Sequence, residues 1–163
     1  MYGRTSLSNN NIFPTRVSCD GNPSLKTAGV TIDWDSVTAV SVDTTLADGS
    51  IVRNGNKYLR YGQVLTMNTT SKKYAPYDPA KTDGTQTLTR GECFILDETL
   101  LQYSSGSPLL GAINDQTGGL IDGGPVWLAR VLQAGTGSAS LAAGPTLANL
   151  LTAFPSLKLV RDE

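Results

Sequence analysis

Residues able to do chemistry are thinly scattered along this 163-residue chain. Asp33 and Asp35 flank Trp34. In an extended strand residues i and i+2 share a face, so these carboxylates could pair for acid–base work or offer two oxygens to a hard cation. Nothing nearby completes a calcium loop, and a solvated strand edge or turn accounts for both. Asp78, Asp83, Asp97 and Glu98 fall at turns or strand ends, where carboxylates serve the local backbone. Asp122-Gly123-Gly124 and Gly135-Thr136-Gly137 have a faint likeness to phosphate-cradling loops. Neither matches P-loop or dinucleotide spacing and no strand–turn–helix context surrounds them, so these glycines are expected to serve turns. Asn68-Thr69-Thr70 is a formal glycosylation acceptor, without meaning in the absence of an export signal.

The chain contains no histidine. Histidine is the commonest general base and metal ligand, so Ser/His/Asp triads, Cys/His dyads and His-based metal sites are removed together. This argues against an enzyme, and no cofactor or metal is expected. Cys19 and Cys93 lie far apart in dissimilar contexts. They could close a disulfide, but free, partly buried thiols in a reducing compartment are favoured. Tyr58, Tyr61, Tyr74, Tyr77 and Trp127 could form a stacking platform for sugars or bases. No basic groove accompanies them, and packing in a core or between copies is the default.

Charge and hydropathy narrow the partners. The 13 basic and 14 acidic residues are interspersed, giving a formal net charge of -1. No basic stripe is present to neutralise phosphates, so nucleic acid is a poor partner. No apolar run reaches the roughly 20 residues that span a bilayer, and Met1 to Ser6 lacks the apolar core of a signal peptide. The expectation is a protein made and used without signal-directed export and without membrane contact.

The elements that would position these residues read as mainly β. Residues 1–24, with Asn9-Asn10-Asn11, Pro14, Asp20-Gly21 and Pro23, have no sustained period and read as a flexible arm. Its apolar residues Tyr2, Ile12, Phe13 and Val17 are spaced as if to dock on something else. Residues 25–163 form a single β-rich domain. Val30, Ile32 and Trp34 alternate with Thr31 and Asp33, predicting a strand, with Val37, Val40 and Val42 following in a Thr/Ser/Val-rich stretch. Asp48-Gly49 and Asn54-Gly55 bracket Ser50-Ile51-Val52, predicting a hairpin. Strands are expected over 58–61, 61–67 and 74–77, separated by the polar turn 68–73, and 78–84 is a loop. Gly91 to Leu96 is a compact apolar run of the length of a fully buried strand. Residues 103–125 are rich in turn formers and read as an exposed excursion, with a last clear strand over 126–132. Leu147, Leu150, Leu151 and Phe154 share a helical face between Gly144-Pro145 and Pro155, predicting a short C-terminal helix, after which Leu157, Leu159 and Val160 form a closing strand.

One further pattern lies in the order of four segments: Leu59-Arg60-Tyr61-Gly62-Gln63-Val64-Leu65, Lys73-Tyr74-Ala75-Pro76-Tyr77-Asp78-Pro79, Thr82-Asp83-Gly84-Thr85 and Arg90-Gly91-Glu92-Cys93-Phe94-Ile95-Leu96. A Gly-bearing apolar strand, a Tyr-Pro segment, an Asp-Gly loop and a Gly-initiated apolar strand in this order resemble the phage-lambda-type head decoration family. The arm, a hairpin inserted near residues 46–56 and the region beyond Gly135 depart from the small lambda-type protein. The resemblance implies a compact β-tulip-like domain that binds the outer surface of an expanded phage head as a trimer at local three-fold positions. It implies the major capsid protein as partner, and a cement protein of the virion made in the host cytoplasm. Ile12, Phe13, Pro14 and Val17 would then contact the capsid, while Trp34, Tyr61, Tyr74, Tyr77 and Trp127 would pack the core or the trimer. An exposed receptor- or carbohydrate-binding head fibre module is the alternative, although the repeats expected of one are absent. A small carboxylate hydrolase is a third class, disfavoured by the missing histidine.

Overall fold

The computed structural model describes residues 24–25, 30–46, 49, 51–97, 99–102, 120–127, 131 and 147–160. Among these residues ten strands dominate: β1 (Ser24–Leu25), β2 (Thr44–Thr45), β3 (Ile51–Val52), β4 (Lys57–Leu59), β5 (Val64–Met67), β6 (Tyr74–Pro76), β7 (Cys93–Leu96), β8 (Leu100–Gln102), β9 (Leu120–Trp127) and β10 (Leu157–Val160). A short helix, α1 (Leu147–Ala153), precedes β10. The chain is mainly β with a small C-terminal helix.

The main sheet runs β1-β9-β7-β5-β6, with β10 paired in parallel to the second half of β9. Its centre follows from the Cys93-Phe94-Ile95-Leu96 run. Alternate side chains of a strand point to opposite faces, so a strand apolar at every position must be covered on both sides. All four residues of β7 are buried. Cys93 and Ile95 pack with Val64, Ile121, Val126, Leu150, Ala153, Phe154 and Leu157 on the face covered by α1. Phe94 and Leu96 pack with Val30, Ile32, Trp34, Val37, Leu59, Leu65 and Leu120 on the other. The register Val64↔Ile95↔Ile121 and Leu96↔Leu120 carries this alternation across three strands. Each such fully buried aliphatic side chain contributes about 1.5–3 kcal/mol relative to exposure.

The second face is closed by something other than the expected strand. Val30, Ile32 and Trp34 are buried as their alternation requires, but Ile32 forms only an isolated parallel bridge to Tyr74. Trp34–Ser36 then turn as a 3-10 helix. The reason lies at the edge of β6: Tyr74 N donates to Thr31 O and Asp33 N to Tyr74 O, and the chain then turns so that Trp34 enters the core.

A smaller layer lies beside the sheet. β2 and β3 form the expected hairpin, with Thr44 opposite Val52 and Thr45 opposite Ile51. The same register continues to the base, where Val40 N donates to Asn56 O and Gly55 N to Val40 O. Asp43 and Arg53 form an exposed cross-strand ion pair at 2.6 Å. Val40 and Val52 turn inward onto Tyr58, Leu46 and Leu101, which joins the hairpin to the β4–β8 ladder. Val42 and Ile51 stay exposed.

Two C-terminal expectations are corrected. Residues 120–125 are the first part of β9, with Leu120, Ile121 and Gly123 buried and Asp122 exposed, not the end of an exposed excursion. Gly123 is there because strand and chain approach closely: a Cβ on it would lie 2.9 Å from Ser156 Cβ. Of the expected strand over 126–132, Val126 and Trp127 lie in β9 and Val131 is helical, while 128–130 and 132 lie outside the described residues. The helix forms where its periodicity placed it and stops before Pro155, with Phe154 N donating to Leu150 O. Its buried side is Leu150, Ala153 and Phe154, while Leu151 is exposed. The closing strand β10 follows as expected.

Candidate functional site

A hydrogen-bonded structure joins the β5–β6 turn, residues 68–73, to the loop 78–87. β5 and β6 pair with Met67 opposite Tyr74, leaving a short polar connection to be closed. Asn68 closes it. Its backbone N–H donates to Lys73 O and its C=O accepts from Lys72 N, while its Oδ1 accepts from Thr70 N and Ser71 N at 2.9 and 3.1 Å. This is the asparagine side chain standing in for backbone in a turn.

The remaining Asn68 group ties the turn inward. Nδ2 donates to Asp33 Oδ2 at 3.4 Å and to Asp83 Oδ2 at 3.1 Å, and Ser71 Oγ donates to Asp33 Oδ2 at 2.8 Å. Asp33 and Asn68 are both buried. A buried carboxylate is tolerable only with such donors. On the facing loop Thr85 donates its hydroxyl and its N–H to Asp83 Oδ1 at 2.6 and 3.1 Å. The Thr85 hydroxyl bond, with its backbone N–H behind it, holds the Asp83 carboxyl below the usual carboxylate value against the opposing effect of burial. Thr69 donates N–H and Oγ1 to Asp83 O at 2.7 and 2.8 Å, lacing the loops directly. Gly84 sits at that crossing with φ of 100°.

This geometry disposes of the paired-carboxylate reading. Asp33 is buried and serves Asn68 and Ser71, whereas Asp35, in the 3-10 turn, is exposed. A turn in place of a strand breaks the shared face. Asp78 caps its own loop by accepting from Ala80 N at 2.9 Å, and Asp97 is buried after β7. Asp122-Gly123-Gly124 lies in a strand, so its glycines serve neither a turn nor a phosphate loop. Glu98, Gly135-Thr136-Gly137, Cys19 and the arm residues Ile12, Phe13, Pro14 and Val17 lie outside the described residues. The turn 68–73 was legible in the sequence; the link that Asn68 makes between Asp33 and Asp83 was not, and no local signal carries it.

The aromatic residues divide. Trp34, Tyr61 and Tyr77 are buried, while Tyr74 and Trp127 are half-buried. Tyr74 packs against Phe94 with ring centroids 5.4 Å apart, and burial pushes its hydroxyl up. Arg60 lies 5.0 Å over the Tyr61 ring. Of the aromatics considered for a stacking platform, Tyr61 and Tyr77 lie in one core cluster, Tyr74 packs against a second and Tyr58 lies in a third, so these four do not form one platform. Among the described residues the Gln63 side-chain amide and Trp127 Nε1 are buried without a hydrogen-bond partner. Cys93 is a free buried thiol, pushed up to about 11 by burial and then by the Glu92 charge.

A shallow cleft beside α1 is lined by Arg90, Gly91, Cys93, Asp122, Phe154 and Ser156, among others. Its volume of about 190 Å³ is below the roughly 300–1,000 Å³ of pockets that enclose small ligands. Among the described residues no group of three or more Asp, Glu, Cys or His could hold a metal ion, and no helix is long and apolar enough to cross a membrane.

Fold and site together describe a β-rich domain whose organised feature is a rigid pair of loops, with no assembled catalytic group among the described residues. Residues 36–89 match the family model of the bacteriophage lambda head decoration protein D. The family resemblance carried by the sequence is thus present over this stretch. Its extent differs from that of the sequence resemblance: the match includes the hairpin near 46–56, so this hairpin is not an insertion relative to the family, and it stops before Arg90 to Leu96. No curated protein and no solved structure matches the chain.

Proposed function

We propose that this chain is a structural protein of a phage virion that binds the outside of the expanded head and stabilises the shell, acting as a trimer at local three-fold positions. The observation that carries the reading is the family match over residues 36–89, which takes in the hairpin, β4 to β6 and both laced loops. A rigid surface feature held by buried polar groups suits a protein whose task is to fit another surface, since binding loses less entropy when loops are already ordered. The major capsid protein is the partner in this reading.

The arm has a physical part in it. β1 pairs with β9 at one end of the main sheet. Ile12, Phe13, Pro14 and Val17 would contact the shell by adding a strand to a capsid sheet edge, which satisfies backbone groups without a prefolded partner. Three arms on one trimer multiply affinity through effective concentration. The half-buried Tyr74 and Trp127 are the aromatics with surface left to pack between copies. A ligand that binds only the assembled lattice stabilises it by mass action. The test is to heat expanded heads lacking the protein, with and without the purified chain, and follow shell disruption by light scattering. The proposal expects a higher disruption temperature with the chain, and an unchanged one refutes stabilisation.

A further inference from the structure

The turn between β3 and β4 carries an exposed pair of residues with a chemistry of its own. Asn54-Gly55 is the single Asn-Gly pair in the sequence, and both residues are exposed. An asparagine side chain is open to attack by the backbone nitrogen that follows it, and glycine has no Cβ to obstruct the approach. The Asn54 side-chain amide makes no hydrogen bond among the described residues, whereas its backbone N–H donates to Asp43 Oδ1 at 2.9 Å. Asn68 differs on both counts: its amide is bound to Asp33 and Asp83, and threonine follows it.

The same turn restrains that attack. Gly55 N donates to Val40 O at 2.8 Å, so the attacking nitrogen is already engaged, and Asn56 N donates to Arg53 O at 3.0 Å. Asp43 holds the Asn54 N–H and pairs with Arg53 at 2.6 Å. These two contacts, in that order, keep the Asp43 carboxyl below its ordinary value. The Gly55 nitrogen is released only when the turn opens, and exposed turns lie at the low end of the opening free energies within a protein.

We propose that Asn54 is a site of spontaneous deamidation, its rate set by the contacts that the turn makes with Val40 and Asp43. On opening, the Gly55 backbone nitrogen gives its proton to solvent base and attacks Asn54 Cγ. The N–Cγ bond forms, the Cγ–Nδ2 bond breaks and Nδ2 leaves as ammonia. Water then opens the succinimide to aspartate or isoaspartate, with nothing oxidised or reduced. The new carboxylate lies beside Asp43, so like charges now meet where a carboxylate held the turn closed. Isoaspartate also lengthens the backbone of the turn from Arg53 to Asn56. The change is one-way and falls within the family-matched residues 36–89.

The experiment incubates the full-length chain at mildly alkaline pH and follows the conversion of each asparagine to aspartate and isoaspartate by mass spectrometry of a proteolytic digest. Folded wild type, wild type in urea, D43A and N54Q are compared, with thermal unfolding of D43A confirming that it is folded at the incubation temperature. Asn54 of folded wild type should convert, roughly tenfold more slowly than in urea. D43A should convert at Asn54 roughly threefold faster than wild type, the scale of one exposed charged contact. N54Q should show no conversion at 54, and Asn68 should stay intact in the folded chain. An Asn54 that converts in urea but stays intact in folded wild type overturns the site. Equal rates for folded and urea-treated wild type, or for D43A and wild type, overturn the control by the turn's contacts.

Discussion

Gly84→Ala probes the crossing of the two loops, and its cost can be worked from two separate contributions. The first is conformational: at φ of 100° a Cβ is strained, by about 1–2 kcal/mol. The second is steric. The new Cβ would lie 2.6 Å from Thr69 Cγ2, 2.9 Å from Met67 O and 3.0 Å from Thr69 N. Thr69 cannot simply rotate away, because its Oγ1 donates to Asp83 O at 2.8 Å, and the other two atoms are backbone. Forcing the loops apart adds about 1–3 kcal/mol, for a total of about 2–5 kcal/mol. Gly55→Ala is the control, since Gly55 has φ of 85° with nothing within 4 Å of the added Cβ, so it carries only the first contribution. Urea unfolding should therefore order the stabilities wild type, G55A, G84A, with unchanged denaturant slopes. For a chain of this size each kcal/mol moves the thermal midpoint by about 2–4 °C. Equal losses for the two variants would refute the claim that the loops are locked together at Gly84.

Three further outcomes follow from the same packing. Gln63→Met should leave stability unchanged or raise it by about 1–3 kcal/mol, because it removes a buried amide that has no partner; a clear loss in urea unfolding contradicts this. The Asp83 carboxyl is held below its ordinary value of 3.8, so its contribution is present above the unfolded value and lost as pH falls through the lower folded one. Below about pH 4, Asp83→Asn should therefore lose stability less steeply than wild type, after starting lower at pH 7; parallel pH curves rule this out. The Cys93 thiol, pushed to about 11, is almost wholly protonated at neutral pH. In a Cys19→Ser chain it should react with Ellman's reagent roughly two to three orders of magnitude more slowly than free cysteine until the protein is unfolded; rapid native labelling would show that the thiol is not buried.

Much of the sheet was legible because burial on two faces leaves a plain mark. Cys93 to Leu96 reads as a buried strand at every position, and Asp48-Gly49 with Asn54-Gly55 brackets the hairpin by turn chemistry that needs no tertiary information. Residues 30–36 were misread because alternation records only which side chains go inward. Val30, Ile32 and Trp34 do go inward, yet what holds their backbone is the edge of β6, distant in sequence. β9 was hidden for the opposite reason. Gly123 and Gly124 look like turn formers, whereas the strand needs the small residue at 123 to pass Ser156. Leu151 shared a helical period with Leu150 but faces outward, since α1 is too short for periodicity to fix which side is covered. At the loops, sequence showed separate turns. That Asn68 links Asp33 to Asp83 is a fact of three distant segments meeting, and no local pattern encodes it.

The most direct test of the central claim is co-sedimentation of the purified full-length chain with expanded, undecorated heads of its own phage, counting copies bound per capsid subunit. The account predicts saturable binding close to one copy per capsid subunit, as trimers on every local three-fold position require. Absence of saturable binding to expanded heads contradicts it.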